Sequence, residues 1–309
     1  AVYATAGRTS AGPFAGPGCG ASTSGCTNTH AGAGTIYHEQ TGTLTVDAEA
    51  KGSSQPTPWT NELYANVVVR GRGRLSANIP MVATQSVTVE SDGFIQNAAN
   101  VPLQLTAPIV LVDGDARTLN SSPGVDFTIN ATTSVTVGAG GVLRCGGQLC
   151  GTNVTTATLT VDGTLGGGSV DATVTDATVA GLIDAAATGH PANAGTGAGA
   201  HCGSNSGATG ASHAGVGHGC SGGGNSQGPT YSTPFMPFAQ GSGGGTQSNY
   251  GSTGGAGGGR VRVTASGAIS VDGTIDAQGG NGLGNSGVIG GGGGSGGSIW
   301  LIADTLAGA

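Results

Sequence analysis

Short segments in which apolar and small polar residues alternate recur along most of the chain. Leu44–Asp47 is one such segment, and Leu159–Gly163 is a later copy that ends in Asp-Gly. Alternation with a period of two residues is typical of a half-buried β-strand. The valines that close successive copies are Val46, Val69, Val89, Val112, Val137 and Val161.

These valines are separated by 23, 20, 23, 25 and 24 residues. A near-constant step of this size predicts stacked repeats. The fold class that we predict is all-β, a parallel β-helix in which equivalent residues of successive rungs lie over one another. Several copies turn at a glycine, which we expect to supply the positive φ of a tight corner. An antiparallel β-sandwich, with turn signals every 8–12 residues, remains the alternative.

The strand pattern divides the chain into four regions. We expect an N-terminal cap with a short disulfide loop in residues 1–42 and the β-helix rungs in residues 43–185. Residues 186–258, which are rich in Gly, Ser and His, are expected to be a long insertion folded onto the rungs. Strands return in residues 259–309. Glycine runs such as Gly290–Gly294 lack side chains, so we expect them to pack closely as extended, polyproline-II-like segments.

Composition limits both the core and the function. The 309 residues include 65 glycines and only 4% aromatic residues, so Val, Ile, Leu, Ala and Thr must fill the core. No Gly-X-Y period is present, which excludes collagen. Charged residues are 8% of the chain and the net charge is -7, so nucleic-acid binding is not expected. No apolar run is long enough for a transmembrane helix.

The six cysteines fall into three couples that are close in sequence. An even number in local couples predicts disulfides, with reduced thiols or metal ligands as the alternative. Disulfides persist in oxidising compartments, so we expect an extracellular or cell-surface protein. Ala1 would suit the first residue of a mature secreted chain. The expected pairs are Cys19 with Cys26, Cys145 with Cys150, and Cys202 with Cys220.

Two sequence features bear on catalysis and metal binding. Gly217-His218-Gly219 resembles the Gly-His-Gly of polygalacturonase-type glycosidases, which are parallel β-helices. That family also needs clustered aspartates and an Arg-x-Lys motif; the latter is missing here, and Asp113 and Asp115 lie far away in sequence. We therefore predict no enzyme activity and no cofactor. Calcium at Asp113 and Asp115 is a weaker alternative. Four histidines, His190, His201, His213 and His218, have irregular spacing, and no metal site is predicted from them.

Threonine, serine and asparagine suggest two kinds of surface. Asn120, Asn130 and Asn153 each begin an acceptor sequence for an N-linked glycan. A sugar coat would keep a surface with few charges soluble. Thr-x-Thr pairs are the motif that an ice-binding face would repeat, and they occur at Thr43-x-Thr45, Thr158-x-Thr160 and Thr173-x-Thr175.

The last third of the chain places glycine runs directly before strand-like segments. Gly257–Gly259 precede Arg260–Val263, and Gly296–Gly297 precede Ser298–Trp300. This arrangement resembles the glycine-rich β-helical repeats of secreted surface and adhesin-like proteins. The resemblance covers about fifty residues. It implies an extracellular scaffold and brings no catalytic residues with it.

The ends of a β-helix expose unpaired backbone and apolar side chains, which must be capped or joined to another subunit. We expect Ile299, Trp300, Leu301 and Ile302 to pack against the next subunit, near its Val2 and Tyr3. A head-to-tail contact that does not close into a ring builds a filament. We predict a non-catalytic extracellular structural protein that self-associates. A secreted adhesin, an ice- or glycan-binding solenoid, and a polygalacturonase-like glycosidase are the alternatives.

Overall fold

The structure, a computed structural model, describes residues 2–4, 34–48, 56–60, 62–98, 100–119, 125–203, 206–220, 227–233, 235–248, 251–285 and 289–309. Cys19, Cys26 and Asn120 lie outside the described residues. The strands, numbered in chain order, are β1 (Val2–Ala4), β2 (Gly34–His38), β3 (Thr43–Asp47), β4 (Thr57–Pro58), β5 (Tyr64–Arg70), β6 (Arg74–Ala77), β7 (Met81–Val89), β8 (Phe94–Asn97), β9 (Leu103–Thr106), β10 (Ile109–Val112), β11 (Asp115–Arg117), β12 (Phe127–Asn130), β13 (Ser134–Val137), β14 (Val142–Arg144), β15 (Gly151–Thr155), β16 (Thr158–Val161), β17 (Thr164–Gly166), β18 (Ser169–Val174), β19 (Asp176–Val179), β20 (Leu182–Asp184), β21 (Arg260–Ala265), β22 (Ala268–Val271), β23 (Thr274–Asp276), β24 (Gly284–Asn285), β25 (Ile289–Gly290), β26 (Ser298–Ile302) and β27 (Thr305–Ala307).

The strands form three parallel ladders, and the chain visits the ladders in the same order on each rung. The first ladder runs β3, β5, β7, β10, β13, β16, β19, β22 and β27. The second runs β4, β6, β8, β11, β14, β17, β20 and β23. The third runs β7, β9, β12, β15, β18, β21 and β26. This arrangement confirms the predicted all-β parallel β-helix.

The predicted valine column is present in the first ladder. Val112 is in register with Val89 on one side and with Val137 on the other. Val137 in turn lies beside Val161. The column begins at Val46 and Val69 and continues through Val179 to Val271. Equivalent residues therefore occupy neighbouring layers, about 4.8 Å apart, as in any parallel ladder.

Burial follows the two-residue alternation of the sequence. In β13 and β16 every second residue is buried, and Val135, Val137, Leu159 and Val161 have no exposed surface. The intervening serines and threonines face outward. Each fully buried Val or Leu contributes about 1.5–3 kcal/mol relative to an exposed one. The interior is thus a narrow stack of aliphatic side chains, as a chain with 4% aromatic residues requires.

The glycines at the corner between the first and second ladders serve a purpose other than the predicted one. Gly93, Gly114, Gly141 and Gly163 do not have the positive φ that we expected. A Cβ on Gly141 would lie 1.9 Å from the Val112 carbonyl oxygen of the rung below. Because the backbones of adjacent rungs approach so closely at this corner, a side chain has no space there.

Two antiparallel pairs depart from the parallel pattern among the described strands. β2 pairs antiparallel with β3, and β24 with β25. β1 then pairs parallel with β2, so β1 and β2 cover the first edge of the first ladder. The sandwich alternative is wrong because every strand pair within the three ladders runs parallel, from β3·β5 to β22·β27.

Two insertions rich in glycine leave the β-helix at the same corner. The first separates β20 from β21, and the second separates β23 from β26. Their extended segments pack together into what we name the glycine bundle, residues 189–199, 208–212, 241–246, 253–259, 277–283 and 291–297. Most of these residues belong to neither a helix nor a strand.

Backbone hydrogen bonds in the glycine bundle repeat every three residues. The amides of Gly291, Gly294 and Gly297 donate to the carbonyls of Leu283, Gly280 and Ala277. Between these, Gly292 and Ser295 donate to Gly245 and Ser242 on a different segment. A helix with three residues per turn directs its amides to separate neighbours in this way. The pattern agrees with the polyproline-II-like packing predicted for the glycine runs.

Hydrogen bonds attach the first insertion to the rungs, and a disulfide links two of its own residues. The Gln240 amide donates to the Gly168 carbonyl at 2.7 Å, and the Ser298 hydroxyl to the Ala239 carbonyl at 2.7 Å. Cys202 and Cys220 form the predicted disulfide, with Cα atoms 5.4 Å apart. The described residues of this insertion therefore form a layer against the β-helix.

Replacing Leu159 with Ala should lower the free energy of unfolding by about 2–5 kcal/mol, because it leaves a cavity between two rungs. The neighbouring Thr160→Ala, which removes an outward side chain from the same strand, should change it by less than about 0.5 kcal/mol. Urea denaturation of both variants checks this difference. Equal effects would contradict the inward and outward assignment of β16.

Replacing Gly244 with Ala should disrupt the glycine bundle, because the new Cβ would lie 2.0 Å from the Gly292 carbonyl oxygen. Overpacking of this kind costs about 1–3 kcal/mol. Gly215→Ala is the matched control, since a Cβ there meets nothing within 4 Å. Hydrogen exchange of the bundle amides should accelerate in the first variant only. Unchanged protection in Gly244→Ala would show that the segments do not pack as described.

Candidate functional site

At the last described rung, which we name the open end, the strands pair on one side only. Within the described part of the chain, β23, β26 and β27 each pair with a single neighbour in their ladders. Each therefore presents a free strand edge, and all three edges face the same direction along the axis. An unpaired edge is a template for pairing with another strand.

Apolar side chains lose their cover at this end. Ile299 is in register with Val261, and Leu306 with Ile269. Val261 and Ile269 are at most 1% exposed, whereas Ile299 is 41% and Leu306 is 64% exposed. With Val271, Ile275 and Leu301, these residues line a shallow depression of about 500 Å³. The apolar side chains of the last rung are thus more exposed than their register partners on the rung before.

The other end of the first ladder finishes in β1. Val2 and Tyr3 lie in this strand, which pairs with β2 and with no other described strand. The two predicted assembly segments are therefore at opposite ends of the solenoid. Within the described part of the chain, the second backbone edge of β1 has no partner strand.

The structure divides the predicted assembly set into two faces. Ile299 and Leu301 belong to the open end, while Trp300 lies beside Arg262 on the outer face of the third ladder. The Arg262 guanidinium is 5.2 Å from the centre of the Trp300 ring, and Arg260 is 4.0 Å from that of Phe238. Ile302 shares the outward register of Trp300. Sequence reasoning missed Leu306, although Thr305-Leu306-Ala307 repeats the alternation of the earlier strands.

The second ladder carries arginines around one aromatic ring. Arg74 and Arg117 lie 4.7 and 5.0 Å from the centre of the Phe94 ring, one from each side along the axis. Arg117 also forms an ion pair with Asp115. Burial raises the pKa of Asp115, against the opposing effect of the nearby arginines. Asp113 and Asp115 flank the Gly114 corner, where Oδ2 of Asp115 pairs with Arg117 and the buried Oδ1 has no hydrogen-bond partner.

The first insertion contains a buried histidine next to the glycine bundle. The His213 ring meets the Tyr231 ring edge-on, with centres 4.9 Å apart, and its Nε2 has no hydrogen-bond partner. Burial lowers the pKa of His213, while a hydrogen bond with the Ala239 backbone acts in the opposite direction. No group of three or more His, Cys, Asp or Glu residues in the described ranges could hold a metal ion.

The structure separates the residues of the glycosidase motif. His218 is exposed in the first insertion, between β20 and β21, and its carbonyl accepts a hydrogen bond from Gly210. Asp113 and Asp115 lie on the rung of β10 and β11.

The Cys145–Cys150 disulfide, with Cα atoms 5.9 Å apart, forms as predicted near β14.

The described sequon and threonine residues lie on the outer faces. Asn130 and Asn153 are half-buried members of adjacent strands of the third ladder, β12 and β15. Thr158 and Thr160 lie beside Ser134 and Thr136 in the first ladder. The three predicted Thr-x-Thr pairs do not share one face. Thr45 is buried in β3, and Thr173 belongs to the third ladder.

Comparison with known proteins identifies no relative of this chain. The chain matches no protein-family model, no curated protein and no solved structure. Among the described residues, no helix is long and apolar enough to span a bilayer. The fold is an all-β solenoid whose last described rung exposes apolar side chains.

Acidification should loosen the first insertion around His213. Its folded pKa is lowered, so protonation favours the unfolded form, and the local stability falls as the pH drops below about 6.5. We expect lower hydrogen-exchange protection of residues 208–216 at pH 5.5 than at pH 7.5 in the native chain. His213→Phe should remove this pH dependence, while His218→Phe, at an exposed site, should retain it. A pH dependence that persists in His213→Phe would contradict this assignment.

Proposed function

We propose that this chain is a non-catalytic extracellular structural protein whose β-helix stacks end to end into a filament. The observation that carries the proposal is the change in burial across the last rung. Ile269 is fully buried, and its register partner Leu306 is 64% exposed. A further rung on this end would cover Leu306 as the last rung covers Ile269.

The geometry favours a second copy of the chain as the source of that rung. The last rung offers the edges of β23, β26 and β27, and the opposite end offers the edge of β1. Since β1 is at the far end of the same ladder as β27, translation along the axis brings these two edges together. Such a head-to-tail contact repeats without closing.

Strand directions define the junction. β27 runs parallel to β3 through the whole first ladder, whereas β2 runs antiparallel to β3 and parallel to β1. The pair between β27 of one copy and β1 of the next is therefore antiparallel. Main-chain hydrogen bonds supply affinity in such strand addition, and the apolar depression around Leu306 supplies buried area.

An extracellular location is part of this proposal. The four described cysteines form two disulfides, Cys145–Cys150 and Cys202–Cys220, and disulfides persist in oxidising compartments. Asn130 and Asn153 lie on the lateral face of the third ladder, away from both ends. Glycans attached there would leave the end-to-end contact free.

Leu306→Lys should abolish filament formation, because it places a charge in the apolar contact between copies. Leu283→Lys is the matched control, since Leu283 is 67% exposed but lies in the glycine bundle. We expect fibres from the native chain and from Leu283→Lys, and separate particles from Leu306→Lys. Electron microscopy and sedimentation velocity over a range of protein concentrations measure the difference.

Two results would contradict the proposal. The first is a native chain that remains monomeric at high concentration with the Leu306 region still accessible. The second is filaments of Leu306→Lys that are indistinguishable from those of the native chain. Circular dichroism of both variants separates a lost contact from a lost fold.

A further inference from the structure

A second cavity lies on the lateral face of the β-helix, away from the open end. It has a volume of about 340 Å³ and is lined by Arg144, Gly146, Gln148, Gly166, Asp184 and Thr188. The Cys145–Cys150 disulfide closes the short loop that forms one of its walls. The volume falls at the lower end of the range of small-molecule sites in proteins.

Arg144 is the unusual residue of this cavity. The guanidinium groups of Arg70, Arg117 and Arg260 each pair with an aspartate. Arg144 has no ion-pair or hydrogen-bond partner within the described residues. Its Nε is buried, as is that of Arg262, and its charge acts on Asp115 of the previous rung only from a distance. An anionic ligand in the cavity would give the guanidinium of Arg144 the partner that it lacks.

The rung register creates the space beside Arg144. Arg144 is followed along the outer face by Gly166 on the next rung and by Asp184 on the rung after that. Two rung spacings separate Arg144 from Asp184, about 10 Å. Gly166 has no side chain to fill the space between them. The Arg144 side chain therefore lies on one side of the cavity and the Asp184 side chain on the other, with only backbone between them.

The remaining lining supplies hydrogen bonds. Asp184 accepts one hydrogen bond through Oδ1 from the Ala186 amide, which leaves Oδ2 as an acceptor. The side-chain amide of Gln148 has no partner within the described part of the chain and can both donate and accept. The Thr188 hydroxyl donates to the carbonyls of Gly167 and Ala185, so its lone pairs remain available.

We propose that this cavity binds a uronic acid ring, with its carboxylate on Arg144 and its hydroxyls on Asp184, Gln148 and Thr188. An arginine binds a carboxylate through two parallel hydrogen bonds. A single sugar ring fits the gap that Gly166 leaves. The Asp184 carboxylate disfavours a more highly charged anion such as phosphate, and a neutral sugar would leave Arg144 unpaired. This site is independent of the filament proposal, because it lies on a lateral face.

Titration calorimetry of the full chain with sodium galacturonate tests the site, with glucose and inorganic phosphate as comparison ligands. Arg144→Gln should weaken galacturonate binding by about tenfold or more, as expected for loss of a charged hydrogen bond. Arg72→Gln is the matched control, because Arg72 carries the same charge at an exposed turn. Gln148→Ala should weaken binding by a smaller factor. Circular dichroism verifies that each variant is folded.

Binding of a galacturonate trisaccharide shows whether the site takes a free sugar acid or the end of an acidic polysaccharide. Equal binding of the free acid and the trisaccharide supports a site for the end of an acidic polysaccharide. Binding of the free acid alone supports a site for the free sugar. The proposal is overturned by an absence of galacturonate binding, by glucose or phosphate binding as strong as that of galacturonate, or by full affinity in Arg144→Gln.

Discussion

The in-register stacking of inward-facing aliphatic side chains is the interaction on which the rest of the structure depends. Val89, Val112, Val137 and Val161 each contact the equivalent residue of the next rung and are completely buried. No rung can bury its own side chains alone, because the interior is only a few residues wide. Stability therefore comes from contacts between adjacent rungs along the axis. A rung with a neighbour on one side only keeps part of its apolar surface exposed.

Glycine provides the complementary constraint where side chains would prevent close approach. At the corners it lets successive rungs stack, and in the insertions it lets extended segments exchange hydrogen bonds every three residues. Buried side chains hold the rungs of the β-helix together, whereas backbone hydrogen bonds hold the segments of the glycine bundle together. Together they give a solenoid with a lateral cavity beside Arg144 and exposed apolar residues around Leu306.

The sequence predicts the rungs well because their period is visible in the residues that face inward. It does not reveal Val179, which lies only 18 residues after Val161 yet occupies the same column. In the sequence the corner glycines look like positive-φ turn residues. Only the structure shows that the backbone of the adjacent rung leaves no space for a side chain at these positions. Arg144, Gly166 and Asp184 form one face through steps of 22 and 18 residues. Such a face can be found only after the register is known.

Methyl–methyl nuclear Overhauser effects in a valine-labelled sample test the central claim most directly. Val137 should show strong effects to both Val112 and Val161, since in-register residues of adjacent strands lie about 4.8 Å apart. Val112 and Val161, two rung spacings apart, should show a much weaker effect or none. A sample in which Val137 contacts neither valine would contradict the stacked-rung account.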